Sequence, residues 1–256
     1  MNEILKVIDG RRSVRRYSKQ PVTQDEKDLI LDATLRAPTA GNMMLYSIIE
    51  IQDQKIKDKL AITCDHQPFI AKAPFLLLFL ADYQKWVDYF KYCEVKKKCK
   101  NRQIRYRTPQ EGDLILACCD ALIAAQTAVI AAESLGIGSC YIGDILEQYE
   151  IHRDLLNLPP YAMPITLLCF GHPASISKVK RSTRFDRSSI VQVDKYHRFT
   201  NTELDFIFKE TEKHFGEQRH LDTIENAGQM YYFRKFDADF TIEMSRSVKE
   251  MLNNWI

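Results

Sequence analysis

Residues 114–144 read LILACCDALIAAQTAVIAAESLGIGSCYIGD. Leu114 to Leu135 is apolar almost all round the helical period, with Asp120, Gln126, Thr127 and Glu133 as its interruptions. That pattern predicts a helix inside the core rather than on its surface. Gly136 stands where a helix end favours a left-handed residue. Ser139 to Ile142 predicts a short strand, and Asp144 is placed to cap a further helix reaching Leu156. Working outward, Phe75 to Ala81 is a continuous apolar run between Pro74 and Asp82. At that length it predicts a strand buried on both faces. Ile165 to Phe170, ending at Gly171, predicts another, and Ser47 to Ile51 a third. Asn2 caps a helix from Glu3 to Gly10. Thr23 and Glu26 form a capping box for a helix carrying Leu29, Ile30, Ala33 and Leu35. Pro38 stops that helix, and Asp53 to Thr63 predicts the next. Buried strands separated by helices point to α/β or α+β architecture. After Pro173 the chain is basic and loop-like to about Tyr196, and two polar helices, Thr202 to His214 and Thr241 to Trp255, close it. This tail has too few large apolar residues to build its own core, so it must pack on something else, such as a partner chain.

The 256 residues are 45% hydrophobic and 27% charged, which excludes disorder as a description of the whole chain. The length suits one large domain or two small ones. Against a chain total of +2, Lys91 to Arg107 holds eight basic residues and one acid, a net of +7. The remainder is therefore acidic, and a dedicated nucleic-acid protein would be more basic overall. Tyr89, Phe90, Tyr92 and Tyr106 interleave with these cations. A non-enzymatic module for single-stranded nucleic acid or another anion is accordingly one class to weigh, beside a plain solvated helix and loop. The seven cysteines lie mostly in apolar runs, and the first ten residues lack the features of a signal peptide. Reduced thiols and a cytoplasmic location are expected. No zinc site is expected, because Cys93 and Cys99 lack the ligand spacing, and no membrane-spanning segment is expected either.

Three stretches carry candidate chemistry. In Arg11-Arg12-Ser13-Val14-Arg15-Arg16-Tyr17, alternation puts Arg11, Ser13 and Arg15 on one side of an extended backbone. Two guanidinium forks and a hydroxyl make a phosphate-sized anion site, or else a solvated basic turn. Gly136-Ile137-Gly138-Ser139-Cys140-Tyr141-Ile142-Gly143 supplies glycines through which backbone N–H groups can approach a ligand. The same glycines would also serve ordinary turns. They are not a dinucleotide fingerprint, since the first two follow a helix. Ala37-Pro38-Thr39-Ala40-Gly41-Asn42 is a polar loop or a simple turn. No nucleophile motif, P-loop or metalloprotease signature occurs, and the six histidines are scattered.

Together these stretches resemble the FMN-dependent nitroreductase family. The segment from Arg11 to Tyr17 resembles its RRSxRxF/Y opening, and Ala37 to Asn42 its APSxxN loop. Ala131 to Gly143 resembles its AAxxLGLGxxxIG segment, and Leu168-Cys169-Phe170-Gly171-His172-Pro173-Ala174 its late strand. The Gln67 region and Tyr141-Ile142-Gly143 are most similar to the NADPH nitroreductase and flavin reductase branch. The resemblance implies an α+β fold, with a central mixed, mainly antiparallel sheet wrapped by helices, in an intertwined homodimer. Residues 1–200 would form the FMN-binding domain, and 201–256 a helical extension packing on the same or the partner subunit. Arg11, Arg12, Ser13 and Arg15 would hold the FMN phosphate and ribityl chain. Thr39 and Asn42 would lie near the flavin, and Gln67 would be a polar contact to it. Tyr141, Ile142 and Gly143 would line one ring face, and Lys180, Arg181 and Arg184 would be late basic residues reaching the phosphate. NADPH or NADH would reduce the flavin, which would reduce nitroaromatics, quinones or free flavin in ping-pong fashion. No side chain would be catalytic, because the flavin carries the chemistry. A specialised flavoenzyme of the same fold is the alternative. The implied partners are a second copy and a small-molecule electron acceptor, with neither nucleic acid nor membrane. The basic stretch is longer here than in compact relatives, and the loop ends Ala40-Gly41-Asn42 where that branch is often serine-rich.

Overall fold

The computed structural model describes residues 1–175, 183–216 and 223–255. The chain forms two compact units, one of Met1–Lys180 with Glu243–Ile256 and one of Arg181–Ile242.

In the first unit, α1 (Glu3–Gly10) is capped by the Asn2 side chain, which accepts from the Leu5 N–H. Helix α2 (Gln24–Thr34) starts with the Thr23/Glu26 capping box. Strand β1 (Tyr46–Glu50) leads to α3 (Gln54–Thr63), capped by Asp53, and then to β2 (Phe75–Asp82). Helices α4 (Gln84–Tyr92) and α5 (Val95–Asn101) precede the long α6 (Glu111–Ser134). Strand β3 (Gly138–Ile142), α7 (Tyr149–Leu156) and β4 (Ala162–Gly171) follow. The sheet order is β1-β2-β4-β3, and every pair is antiparallel. A single parallel bridge joins Ser13 to Ser139. This is the expected α+β arrangement.

Strand β2 is buried throughout because helices cover both faces of the sheet. Phe75, Leu77 and Phe79 alternate toward α2 and α6. Leu76, Leu78 and Leu80 point to the opposite core, with Leu60 of α3 and Cys169 of β4. Strand β4 starts three residues before Ile165, earlier than its apolar run suggests. Pro164 cannot donate a ladder hydrogen bond, and the register with β2 shifts between Phe79 and Leu80, opposite this proline.

Two expectations change. Helix α6 is not buried all round: Ala117, Ala121, Ala124, Ala125 and Ala128 pack inward, while Ile115, Leu116, Leu122 and Ile123 are exposed. By length and composition it could cross a membrane, but 44% of its most apolar stretch is buried inside the fold. Nor does Asp144 cap one continuous helix to Leu156. Asp144–Leu146 is a 3-10 turn, Gln148 adopts a left-handed backbone (φ 48°), and α7 begins only at Tyr149. The break is made by α11 (Asp239–Trp255). Its Ser247 hydroxyl accepts from the Tyr149 N–H at 3.0 Å, and Glu243 accepts from the Gln148 N–H at 3.1 Å. Met251 and Trp255 of α11 are fully buried with Leu45, Leu114 and Tyr149.

The second unit contains the short α8 (Arg187–Ile190), α9 (Asn201–Gly216) and α10 (Ala227–Tyr231), the last followed by a π-type turn over Tyr232–Phe236. Helix α10 and this turn are elements that the polar pattern of the tail did not suggest. Within this unit Glu212 of α9 accepts from the Ala227 N–H at 3.0 Å, and Phe185 meets Phe208 edge to face at 5.3 Å.

Candidate functional site

After α1 the backbone turns extended at Arg11 (ψ 133°) and runs along β3 and the end of β4. The Val14 N–H donates to the Ser139 carbonyl at 2.9 Å, Ser18 to His172 at 2.8 Å, and Ala174 back to Arg16 at 3.0 Å. Two glycines make room for this run. A Cβ on Gly138 would lie 2.3 Å from Val14 Cγ2, and one on Gly171 would lie 2.6 Å from Tyr17 Cδ1. Both belong to glycine motifs noted in the sequence, and close backbone approach is what requires them.

The alternation of Arg11, Ser13 and Arg15 converges on Cys140. Burial pushes the Cys140 thiol up, while Arg15, the Ser13 hydroxyl and Arg11 oppose that shift. Cys140 faces Cys169 across the β3–β4 register, and burial pushes the Cys169 thiol up as well. Arg15 also lies over the Phe69 ring, 5.8 Å from its centroid. Among the described residues, no carboxylate lies within ion-pair distance of Arg11 or Arg15. Arg12 sits between them in the same segment.

The loop after α2 hangs from one buried carboxylate. Asp120 of α6 is 2% exposed. It accepts from the Thr39 hydroxyl, from the Ala40 N–H at 2.9 Å and from the Leu45 N–H at 3.1 Å. Thr39 Oγ1 in turn accepts from the Met44 N–H at 2.9 Å. These bonds hold Gly41, Asn42 and Met44 at positive φ (56°, 56° and 49°) and leave Asn42 exposed. Thr39 therefore turns its hydroxyl inward, toward Asp120. The sequence shows Asp120 only as a polar interruption of an apolar run. The available signal was that a lone acid in a core helix must find donors.

Gln67 joins two further segments. Its Nε2 donates to the Cys64 carbonyl at 3.0 Å and to Asp144 Oδ2 at 2.6 Å. The loop after α3 is thereby tied to the turn after β3. Ile142 is buried, while the Tyr141 hydroxyl donates to Gln126 Oε1 of α6 at 3.1 Å. Burial raises that hydroxyl to about 12. Gly143 is exposed, with no atom within 4 Å of where a Cβ would stand. Arg11, Ser13, Arg15, Gln67 and Tyr141–Gly143 thus form one neighbourhood around the end of β3. Thr39, whose carbonyl accepts from the Asn42 N–H, is held by the same helix α6 at Asp120, about one and two-thirds turns before Gln126, about 9 Å along its axis. Arg184 belongs to the second unit, where its Nη1 donates to the Thr183 carbonyl at 3.0 Å. Lys180 and Arg181 lie outside the described residues.

Comparison with known proteins gives the family. Residues 8–172 match the model of the nitroreductase family. The chain is 34% identical over 180 residues to an FMN reductase [NAD(P)H] of Bacillus subtilis (strain 168), covering 70% of each sequence. It is 30% identical, over the same shares, to an FMN reductase (NADPH) of the same organism. Among solved structures, NfrA2 of B. megaterium superposes with a TM-score of 0.79 at 25% identity, covering 100% of this chain and 98% of the other. Nitroreductase A from Vibrio parahaemolyticus has the same fold, with a TM-score of 0.82 at 21% identity and coverage of 100% and 98%. With the family match running from the end of α1 through the last strand of the sheet, the chain belongs to the nitroreductase family.

Proposed function

We propose that this chain is an NAD(P)H-dependent FMN oxidoreductase whose cofactor lies at the end of β3. The observation that carries this reading is the convergence of Arg11, Ser13 and Arg15 on Cys140 of β3, a strand that ends at the open position of Gly143. Among the described residues, Arg11 and Arg15 make no ion pair within 4 Å, although the charge of Arg11 reaches Glu133, and cations so placed suit a phosphate; an exposed glycine suits a flat ring lying close to the backbone. FMN, when bound, accepts a hydride from NAD(P)H and passes it to an acceptor. The protein supplies placement. Arg11, Arg12, Ser13 and Arg15 hold the phosphate and ribityl chain. Tyr141, Ile142 and Gly143 line the ring, Gln67 contacts its polar edge, and Thr39 and Asn42 border it. Nitroaromatics, quinones or free flavin are the acceptors, and one shared pocket for donor and acceptor leads to ping-pong kinetics. The purified protein should be yellow, or should take up added FMN, and should bleach anaerobically with NADPH or NADH. A colourless protein that binds no FMN would overturn this reading.

The working form is a homodimer in a cytoplasmic compartment. The exposed Ile115, Leu116, Leu122 and Ile123 of α6 and Ile4, Leu5 and Ile8 of α1 support it, since a second copy would cover such a face. Residues 1–200 form the cofactor-binding part, and 201–256 an extension that packs on its own or the partner subunit. The buried Met251 and Trp255 favour a share of that packing within one chain.

The basic stretch fits this reading as a steering surface rather than a nucleic-acid site. Helix α4 is anchored on the Asn42 loop by the Trp86 Nε1–H, which donates to the Met43 carbonyl at 2.9 Å. Lys96, Lys97 and Lys98 on α5 are exposed. Replacing all three with glutamine should raise the KM for NADPH about three- to tenfold at low salt, with the difference vanishing at high salt. Steady-state kinetics across ionic strength checks this, and an unchanged KM at low salt would return the stretch to a solvated surface.

A further inference from the structure

The surroundings of Gln67 decide which end of its amide can face a ligand. A primary amide has two N–H donors and one acceptor oxygen. Both donors are taken, by the Cys64 carbonyl and by Asp144. The carbonyl oxygen is the end left to offer. Glu147, 4% exposed, closes the 3-10 turn that Asp144 opens: its N–H donates to the Asp144 carbonyl at 3.1 Å, its buried Oε1 has no partner among the described residues, and the Asp144 charge opposes its ionisation. Two carboxyl groups share a hydrogen bond only when one carries a proton.

The groups around Glu147 favour the protonated form. Asp144 faces it from its own turn, Asp65 from the loop after α3, and Glu243 from α11. The Glu243 carboxyl is held below the usual carboxylate range by Arg246, whose charge is shared with Glu150. His152 of α7 packs nearby, with Nδ1 3.0 Å from the Ile145 carbonyl and Nε2 2.8 Å from Thr63 Oγ1. Burial lowers its pKa, and Lys59 of α3 adds to that. Burial and the three acids push Glu147 up to about 7.

We propose that Glu147 and Asp144 are positioning residues, a proton-dependent support that fixes the Gln67 carbonyl toward the cofactor. The site then accepts a ring N–H at that point, which the flavin N3–H provides. This rests on the placement of the flavin beside Gln67 proposed above. Protonated Glu147 donates to Asp144, and Asp144 Oδ2 accepts from Gln67. When Glu147 ionises, two carboxylates meet and the support loosens. The folded-state pKa is raised, so the stabilisation is complete below the ordinary glutamate range and is lost as pH rises through about 7. Ionisation of the FMN phosphate also affects binding, but equally in all variants.

The test is FMN titration by flavin fluorescence from pH 5.5 to 8.5, with thermal unfolding, on the wild type, Glu147→Gln, Asp144→Asn and Gln67→Ala. The glutamine amide donates to Asp144 at every pH. The ratio of wild-type to Glu147→Gln affinity should therefore fall about five- to tenfold across the range, the net worth of one ordinary hydrogen bond. Glu147→Gln should also melt above the wild type at pH 8 and not at pH 5.5. Wild-type protein should bind N3-methyl-FMN about tenfold more weakly than FMN, and Asp144→Asn should lose most of that preference. Parallel pH profiles for wild type and Glu147→Gln overturn the support, and equal wild-type binding of the two flavins overturns the amide orientation. If Gln67→Ala binds FMN as tightly as wild type, the flavin placement itself is wrong. If it binds weakly while the other profiles run parallel, the placement stands and only the support fails.

Discussion

Asp120→Ala should lower the unfolding free energy by about 3 to 5 kcal/mol, a large share of the stability of an ordinary domain. The substitution removes the one acceptor for the Thr39 hydroxyl and for the Ala40 and Leu45 N–H groups, within a helix face packed against the sheet. Each donor left without a partner costs about 1 to 3 kcal/mol, and water entering by the exposed Gly41–Asn42 side recovers part of it. Asp120→Asn is the sharper probe because it keeps the volume. One oxygen can still accept from Ala40, but the new amide points N–H groups at the Leu45 N–H and the Thr39 hydroxyl. The hydroxyl can rotate to accept; the backbone N–H cannot. A loss of about 2 kcal/mol is expected. Urea denaturation of the two variants measures both values. If Asp120→Asn unfolds at the wild-type midpoint, the carboxylate does not organise the loop.

Gly138→Ala should weaken FMN binding at least tenfold, although residue 138 need not touch the cofactor. The added Cβ would meet Val14 at 2.3, 2.8 and 3.3 Å, closer than packed carbons tolerate. Strand β3 is pinned between β4 and the core, so the movable partner is the 11–15 segment, held there by the Val14–Ser139 hydrogen bond. Arg11, Ser13 and Arg15 shift with it. The stability loss should be about 1 to 3 kcal/mol, the usual cost of overpacking. Val14→Ala in the same protein removes the contacts at 2.3 and 3.3 Å and leaves the one at 2.8 Å, so part of the affinity should return. Gly143→Ala is the control for stability, since its Cβ enters open space. Fluorescence titration and thermal melts on these variants separate displacement of the segment from general unfolding. Wild-type FMN affinity in Gly138→Ala would show that the close approach is not needed.

The elements most legible in the sequence are those whose signals are local. The Asn2 and Thr23 caps and the two-faced apolar run of β2 appear where nearest-neighbour chemistry puts them. The convergence of Arg11, Ser13 and Arg15 was legible too, because alternation in an extended segment is a property of the backbone. What was not legible depends on partners far away in the chain. Helix α7 starts late because Glu243 and Ser247, almost a hundred residues on, bind its first N–H groups. Asp144, read as a helix cap, is taken instead by Gln67. Asp120 looked like a blemish in an apolar helix because its three donors lie some eighty residues earlier. The exposed stripe on α6 escaped notice because composition alone does not tell a helix covered by its own chain from one with a bare side.

Cys140 and Cys169 stand directly opposite each other on neighbouring strands, next to where a redox cofactor is proposed to work. Thiolate, not thiol, attacks disulfides and peroxides. Burial keeps both sulfurs protonated, so this pair is a poor target for the peroxide that a reduced flavin can release in air. Cys64, buried and raised in the same way, shares that protection. Cys93 lies exposed at the end of α4, away from these strands. Oxidative damage during turnover would therefore fall first on the outside of the molecule, at the end of α4, and spare the strands that frame the site.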